Sequence, residues 1–324
     1  MTVADSINAP DRDLMKRLTI VLAFVFVFTA AFALLERTYS QKFFDITGNA
    51  QWIWAQHRMS DNQPVAFFAA REFELPENRI FTHLKVLGDP EYTVYVNGRE
   101  IAGRQVGEER ALDFYDISPL VKTGTNRVVI AVRSPRGVGG LIAAIDIAPE
   151  TANWVVTDSR WKIYREWDPT LLHYDVANVR SERPVIIGEP PIGRWNYLTV
   201  QRQALREPAV AVMPARASFE RMGILPRIST QGGVAVAVAA QARATAFDFG
   251  FTEGRIRLST TSEHITSRAV NVRFAFAENE LGLMEWNLRP VVFAPGETEV
   301  TTPEVHNFRY AMVFGRGVGV EVVK

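Results

Sequence analysis

Aromatic side chains that could stack on a sugar are the residues of this sequence with the clearest chemical potential. Carbohydrate recognition combines exposed rings with planar polar groups that orient hydroxyls. The candidate rings are Trp52, Trp54, Tyr92, Tyr115 and Trp161. We expect Trp54 and Tyr115 to be exposed, which makes them the predicted carbohydrate contacts.

Catalytic and metal-binding residues form no recognisable pattern. The absence of Cys removes thiolate metal sites and Cys nucleophiles, and the histidines show neither HxH nor HExxH spacing. The sequences G-x-S-x-G, G-x-G-x-x-G and G-x-x-x-x-G-K-[ST] are missing. Glycoside hydrolysis needs two carboxylates about 5 to 10 Å apart, and the sequence does not select such a pair among 36 Asp and Glu. We predict no catalytic residue, no metal and no cofactor.

The charge of the chain is balanced, with 36 Lys plus Arg against 36 Asp plus Glu. No overall field therefore attracts nucleic acid, and we predict no nucleic-acid partner. The hydrophobic content of 47% fits packed globular domains together with a membrane segment.

An apolar run near the N-terminus predicts a membrane-spanning helix. Residues 18–35 read LTIVLAFVFVFTAAFALL, 18 residues without a charge. As a helix they would extend about 27 Å, close to the hydrocarbon thickness of a bilayer. A signal peptide is the alternative, because Lys16 and Arg17 precede the run and Ala31-Phe32-Ala33 resembles a cleavage site. We favour an uncleaved anchor, because the apolar part of a signal peptide is usually only about 7 to 15 residues long.

Basic residues on the two sides of this run predict its orientation. They are Arg12, Lys16 and Arg17 before the run and Arg37 and Lys42 after it. The slight excess before the run favours a cytoplasmic N-terminus. We therefore expect a single-pass protein of a bacterial inner membrane, with residues 1–17 as a cytoplasmic tail and the C-terminal part in the periplasm.

Three phenylalanines share one face of the predicted helix. Phe24, Phe28 and Phe32 recur at every fourth position. One interpretation is simple contact with lipid. The other is a packing ridge for another transmembrane helix, a pigment or a bound lipid, and on that hypothesis these residues are the partner contacts within the membrane.

The remainder of the chain reads as mainly β. After a stalk over residues 36–50, short runs rich in Val, Ile, Tyr and Phe alternate with turns over 51–167 and again over 209–324. Asn97-Gly98, set between alternating residues, is the strongest hairpin indication, because a type I′ turn needs positive φ at both central positions. We predict two β-sandwiches joined by a proline-rich connector over residues 168–208.

The first β region resembles the N-terminal, galactose-binding-like sandwich of bacterial α-L-rhamnosidases. The matching stretches are Arg71-Glu-Phe73, Tyr92 to Gly98 (YTVYVNG), Asp116 to Leu120 (DISPL), Lys122 to Asn126 (KTGTN) and Thr157 to Trp161 (TDSRW). The second region is similar to the next sandwich of the same enzymes, through Thr245 to Gly250 (TAFDFG), Gly254 to Leu258 (GRIRL) and His306 to Tyr310 (HNFRY). Together these matches cover most of residues 51–324.

The resemblance implies accessory architecture of the jelly-roll or galactose-binding-like kind. In the family, the hydrolytic acids lie on a helical barrel that follows these sandwiches, and no residue before Lys324 matches it, so we expect no enzyme. The family positions of Trp52 and Trp161 imply packing. We likewise expect a structural role for His306 at a corner of the sandwich.

Two functions follow as hypotheses. The first is a non-catalytic, membrane-anchored subunit that stabilises a complex of other membrane proteins. In overall plan the chain is most similar to an accessory subunit of a bacterial photosynthetic reaction-centre and light-harvesting complex, whose chains are then the most specific partner candidates. The alternative is a cell-surface carbohydrate-binding protein.

Overall fold

The computed structural model places most of the chain. It describes residues 12–57, 61–107, 111–148, 151–174, 179–193, 197, 199–231, 234–283, 288–315 and 317–324. The chain divides into two compact units, Met1–Ile46 and Thr47–Lys324.

One long helix dominates the N-terminal part of the chain. Helix α1 runs over Arg12–Thr47, and within it Met15–Thr47 is long and apolar enough to cross a membrane, a test that a signal sequence also passes. The predicted spanning run 18–35 lies inside this helix. The predicted stalk over 36–50 is helical as far as Thr47. Most of the predicted tail lies outside the described residues.

Over residues 18–35 the helix is apolar around its whole circumference. Phe24, Phe28 and Phe32 are exposed, and so are Leu22 and Phe26, which point away from them. A helix that is hydrophobic on all sides suits a lipid environment.

The first sandwich contains two sheets. Its strands are β1 (Trp52–Trp54), β2 (Val65–Leu75), β3 (Phe81–Asp89), β4 (Glu91–Val96), β5 (Arg99–Gln105), β6 (Leu112–Asp116), β7 (Gly124–Ser134), β8 (Gly140–Ala148), β9 (Thr151–Val156), β10 (Lys162–Tyr164), β11 (Ser181–Glu182), β12 (Val185–Gly188) and β13 (Val200–Arg202). One sheet has the order β12-β1-β8-β3-β6-β13, with β9 beside β8, and the other has the order β11-β10-β2-β7-β4-β5. The apolar core lies between them and draws residues from both.

Segment 168–208, which the sequence predicts as a connector, supplies edge strands to this sandwich. Strands β11, β12 and β13 come from it, and β13 runs parallel to β6. Short 3-10 helices at Ser118–Leu120 and Pro169–Leu172 join neighbouring strands.

The second sandwich is built around one long strand. Its elements are β14 (Val212–Pro214), β15 (Ala217–Gln231), β16 (Val234–Thr260), helix α2 (Glu263–Thr266), β17 (Val270–Ala277), a 3-10 helix (Glu280–Gly282), β18 (Arg289–Phe293), β19 (Glu299–Thr301), β20 (His306–Phe314) and β21 (Val318–Val323). The first half of β16 pairs with β15 and β20, and its second half pairs with β21 and β19. The strand therefore passes from one layer to the other, and the predicted mainly β architecture with an N-terminal apolar helix is confirmed.

The two sandwiches meet at a charged junction. Arg133 on β7 holds Glu297, in the turn after β18, through two hydrogen bonds of 2.6 and 2.5 Å, and also donates to the Val292 carbonyl at 2.8 Å. Both side chains of this ion pair are buried. Because a buried pair with these extra hydrogen bonds fixes both partners, it orients one sandwich on the other.

A second arginine reinforces the junction. The Arg255 guanidinium in the second sandwich lies 2.7 Å from the Glu100 carboxylate of the first. Glu100 also pairs with Arg206, which reaches the Pro303 carbonyl. Carboxylates and guanidinium groups therefore alternate across this contact.

Candidate functional site

The predicted exposure of Trp54 and Tyr115 is wrong. Trp54 is 1% exposed and Tyr115 is 3% exposed. The Trp54 ring packs edge-on against Phe67 at 4.9 Å and lies over Gly139, where an added Cβ would come within 2.4 Å of it. Neither ring has a face left for a sugar.

The other candidate rings are buried as well. Trp52 and Trp161 are packing residues, as the sequence predicts, and Tyr92 has no exposed surface. Strand alternation did not separate core from surface here, because both faces of these strands are covered. On β8, for example, Leu141 faces the core, and its neighbour Ile142 on the opposite face is also fully buried.

Tyr115 belongs to a polar cluster inside the first sandwich. Its hydroxyl lies 3.1 Å from that of Tyr92, which donates to the Asp113 carboxylate. Gln203 donates to the same carboxylate at 2.9 Å. Burial raises the pKa of Asp113 and raises that of Tyr115 to about 12. Asp113 is fully buried, so this cluster is structural.

The matched stretches of the first sandwich converge on one cavity, which we call the loop pocket. Its volume is about 570 Å³, and it is lined by Glu72, Asn97, Pro119, Leu120, Val121, Lys122, Thr125, Asn126, Arg127 and His173. Four separate stretches, REF, YTVYVNG, DISPL and KTGTN, each contribute at least one of these residues. The matched stretches, which are separate along the chain, therefore lie together around this pocket.

Two asparagines shape the loop pocket. Asn97 has φ of 49° and donates from Nδ2 to the Leu120 carbonyl at 2.9 Å and to Asn126 Oδ1 at 3.0 Å. The Arg127 backbone N–H donates to Asn97 Oδ1 at 2.9 Å. Asn126 closes the neighbouring loop by accepting from the Lys122 N–H at 2.9 Å. Since both amides are saturated by the chain, they position the pocket and leave ligand contact to other groups.

The remaining polar side chains define what the loop pocket can bind. The Arg127 guanidinium lies 2.9 Å from the half-exposed Glu72 carboxylate. Lys122 and His173 are exposed. The His173 ring packs on Gly98, whose φ is +86° and whose added Cβ would lie 2.0 Å from that ring. Donors and an acceptor therefore surround a concave space, which suits a polyhydroxylated ligand.

Sequence reasoning missed the polar side chains that line the loop pocket. It selected rings because stacking is the familiar mark of sugar sites, whereas Glu72, Lys122 and His173 are common surface residues with no distinguishing spacing. The KTGTN stretch matches the rhamnosidase sandwiches in sequence, and in the structure it lines the loop pocket.

His306, for which the sequence predicts a structural role, packs against another aromatic ring. It is half-buried and its ring lies 4.3 Å from that of Phe276. Burial, with a contribution from Arg289, lowers its pKa to about 4. Within the described residues no three His, Asp or Glu side chains are grouped so that they could hold a metal ion.

A larger cavity of about 830 Å³ lies in the second sandwich. It is lined by Glu220, Arg221, Met222, Arg243, Thr245, Phe247, Gly315, Gly317, Val318 and Gly319. Its walls are strand side chains and glycine backbone, with a single ring among them, Phe247. Only Thr245 and Phe247 come from a matched stretch, so the loop pocket is the better candidate.

Comparison with known proteins places the fold beside rhamnosidases. No protein-family model and no curated protein matches the chain. Among solved structures it is similar to the α-L-rhamnosidase of Dictyoglumus thermophilum, with 16% identity and a TM-score of 0.46 over 85% of this chain and 35% of that one. It is also similar to the α-L-rhamnosidase of Aspergillus terreus, with 16% identity and a TM-score of 0.49 over 85% of this chain and 36% of that one. The sequence-based resemblance to rhamnosidase sandwiches is confirmed.

A lectin from Pleurotus ostreatus, in complex with GalNAc, is similar at 18% identity and a TM-score of 0.38, over 86% of this chain and 77% of the lectin. The chain spans about a third of the length of the rhamnosidases. At this level of similarity only the fold is compared. None of these neighbours is a photosynthetic protein, so the reaction-centre hypothesis gains no support from them.

Proposed function

We propose that this chain is a carbohydrate-binding protein held at a membrane by its N-terminal helix. The observation that carries the proposal is the loop pocket, a concave polar cavity built by four separate stretches of the first sandwich. Glu72 supplies an acceptor and Lys122 and His173 supply donors around a space of about 570 Å³. Hydroxyl-rich ligands need this mixture of donors and acceptors in a preformed concavity.

The helix sets where such binding would take place. With residues 1–17 on the cytoplasmic side, the sandwiches would lie outside the inner membrane, where cell-envelope or external polysaccharides are available. The apolar run of 18 residues, longer than the usual apolar part of a signal peptide, supports an uncleaved anchor.

A glycan array tests this function. We expect the full-length chain, in a zwitterionic detergent without a sugar head group, to bind a polymer on an array that includes rhamnose-, galactose- and N-acetylgalactosamine-containing polysaccharides. The double change Lys122→Ala and His173→Ala should weaken that binding about tenfold, since each lost hydrogen bond contributes about 0.5–1.5 kcal/mol. Calorimetric titration with the best polymer measures the loss.

The matched control is Lys162→Ala, which removes one lysine charge, as Lys122→Ala does, from an exposed position on β10. It should leave the affinity unchanged. If no polymer binds at millimolar concentration, the proposed function is wrong. If a polymer binds but both variants bind it like the wild type, the loop pocket is not the binding site.

A second candidate function is that of a structural subunit in a complex of membrane proteins. It is favoured by the recurrence of Phe24, Phe28 and Phe32 at every fourth position along one face of α1, three large rings that a neighbouring helix could cover. Partners of this kind would include reaction-centre and light-harvesting chains in a photosynthetic bacterium.

Co-purification from native membranes tests the second candidate. Changing Phe24, Phe28 and Phe32 together to Ala should release the associated chains in mild detergent, whereas changing Leu22 and Phe26 on the opposite face to Ala should retain them. Equal retention in both variants would mean that the rings contact lipid alone.

A further inference from the structure

The second sandwich contains an exposed ring that its own packing does not require. Phe251 on β16 is 75% exposed, while Phe249, two residues earlier, is fully buried in the core. A large aromatic side chain left in water gives up the stabilisation of burial. Its surroundings show what such an exposed ring could contact.

An irregularity in β16 places this ring. Asp248 pairs with Tyr310, and the next pairing is Thr252 with Phe308, so β16 carries extra residues there. Gly250, inside this bulge, has φ of +69°, and an added Cβ would lie 2.6 Å from the Arg216 guanidinium. Bulges re-aim side chains and are frequent beside binding sites. The bulge thus projects Phe251 outward, shortly before β16 begins to pair with β21 at Arg255.

A planar ion pair lies beside the ring. Arg309 donates from Nε to Asp248 Oδ1 at 3.2 Å and from Nη2 to Oδ2 at 3.0 Å. Its guanidinium carbon lies 4.8 Å from the Tyr310 ring centre and 5.9 Å from that of Phe251. The Gly250 N–H also donates to Oδ1 at 2.8 Å. The matched stretches TAFDFG and HNFRY, 61 residues apart at this pair, meet here.

The pair keeps hydrogen-bonding capacity toward solvent. The Arg309 side chain is 39% exposed and the Asp248 side chain 21% exposed. Within the described residues only two of the five guanidinium N–H groups have an acceptor, both on Asp248. The hydrogen bonds from Arg309 and Gly250 lower the pKa of Asp248, so it is a carboxylate at neutral pH.

The balance of charge around the ring selects the class of ligand. Arg309 and Arg216 both interact electrostatically with Asp248, and Arg309 also interacts with Glu280. Two positive and two negative groups give no net attraction for an anion. A neutral pyranose fits better, because its C–H face can stack on Phe251 while adjacent hydroxyls bond to the guanidinium and the carboxylate.

We propose that Phe251, Asp248 and Arg309, together called the Phe251 corner, form a second saccharide-binding site. The proposal rests on the carbohydrate-binding function proposed above, and it assigns to the second sandwich a contact of its own. One chain then engages a polysaccharide at two points. Because the buried junction fixes one sandwich on the other, the two points have a fixed separation, and a long polymer binds with avidity.

Calorimetry on the full-length chain, in the same detergent, tests the proposal with a short oligosaccharide cut from the polymer that the array identifies. We expect two sites per chain. Phe251→Ala should weaken one of them about tenfold and leave the other at its wild-type Kd. Phe251→Tyr keeps the ring face and should bind within about twofold of the wild type.

The double variant Lys122→Ala and His173→Ala should weaken binding at the loop pocket. It should leave the Kd of the Phe251 corner at its wild-type value. Val210→Ala, another change at a highly exposed apolar position, is the control for surface truncation. A single site that is lost only in the loop-pocket variant would overturn the corner and leave the proposed function standing. Absence of any binding by the wild type would overturn both.

Discussion

Replacing Arg133 by Met should lower the free energy of unfolding by about 3–5 kcal/mol. The change leaves Glu297 buried without its cation, and it removes the donor of the Val292 carbonyl. Removing one member of a buried ion pair costs far more than the pair contributes as a whole, because the remaining charge has lost both water and partner. Urea unfolding of the full-length chain, followed by tryptophan fluorescence, measures the effect.

Two controls isolate the cause of that loss. The double change of Arg133 and Glu297 to Met removes both charges and should recover most of the stability, since an apolar pair of similar volume is often neutral. Arg160→Met breaks an exposed pair with Asp158 and should cost less than about 1 kcal/mol. Equal losses in the Arg133 and Arg160 variants would contradict the role of the junction.

Glu91 should make the folded state less stable as the pH rises from about 4.5 to about 7. This carboxyl group is 8% exposed on β4, and its burial raises its pKa to about 7 in spite of Arg133. Between these two values the folded chain keeps a proton that the unfolded chain has lost, so raising the pH favours unfolding. A shift of this size corresponds to about 3 kcal/mol.

The variant Glu91→Gln has no titrating group at this position. The difference in stability between it and the wild type should therefore change with pH. The two proteins should have similar stability at pH 4.5, and the variant should be more stable by up to about 3 kcal/mol at pH 8. The Gln105 side chain, 3.1 Å from the carboxylate, can still donate to the amide oxygen. Parallel stability curves for the two proteins across this range would show that Glu91 titrates normally.

His306 acts in the opposite direction and does not affect the comparison of the two proteins. Its pKa in the folded state is lowered to about 4. Stability from this group is present above the ordinary pKa of His and is lost as the pH falls toward 4. Both proteins carry His306, so its contribution cancels in their difference.

Local sequence chemistry predicted individual elements well. The Asn97-Gly98 turn has positive φ at both residues and joins β4 to β5, as its sequence requires. The apolar run 18–35 is helical, as predicted, and it contains neither Gly nor Pro and no charge.

Burial of particular rings could not be predicted in the same way. Trp54 and Tyr115 read as surface residues, and both are enclosed by groups far away in the chain, Gly139 for one and Tyr92 for the other. When a sheet is covered on both faces, the two-residue period no longer distinguishes inside from outside. Exposure then depends on what packs over the strand.

By itself, the sequence determined a mainly β protein with one apolar helix, the position of its tight turn, and a resemblance to rhamnosidase sandwiches, because these follow from neighbouring residues and their periodicity. Only the tertiary structure decided which side chains face water. It brought Glu72 to Lys122, Asp248 to Arg309 and Arg133 to Glu297, the last pair separated by 164 positions. Hydrogen-bond partners, burial and the pKa of Glu91 depend on such distant contacts, and no local pattern encodes them.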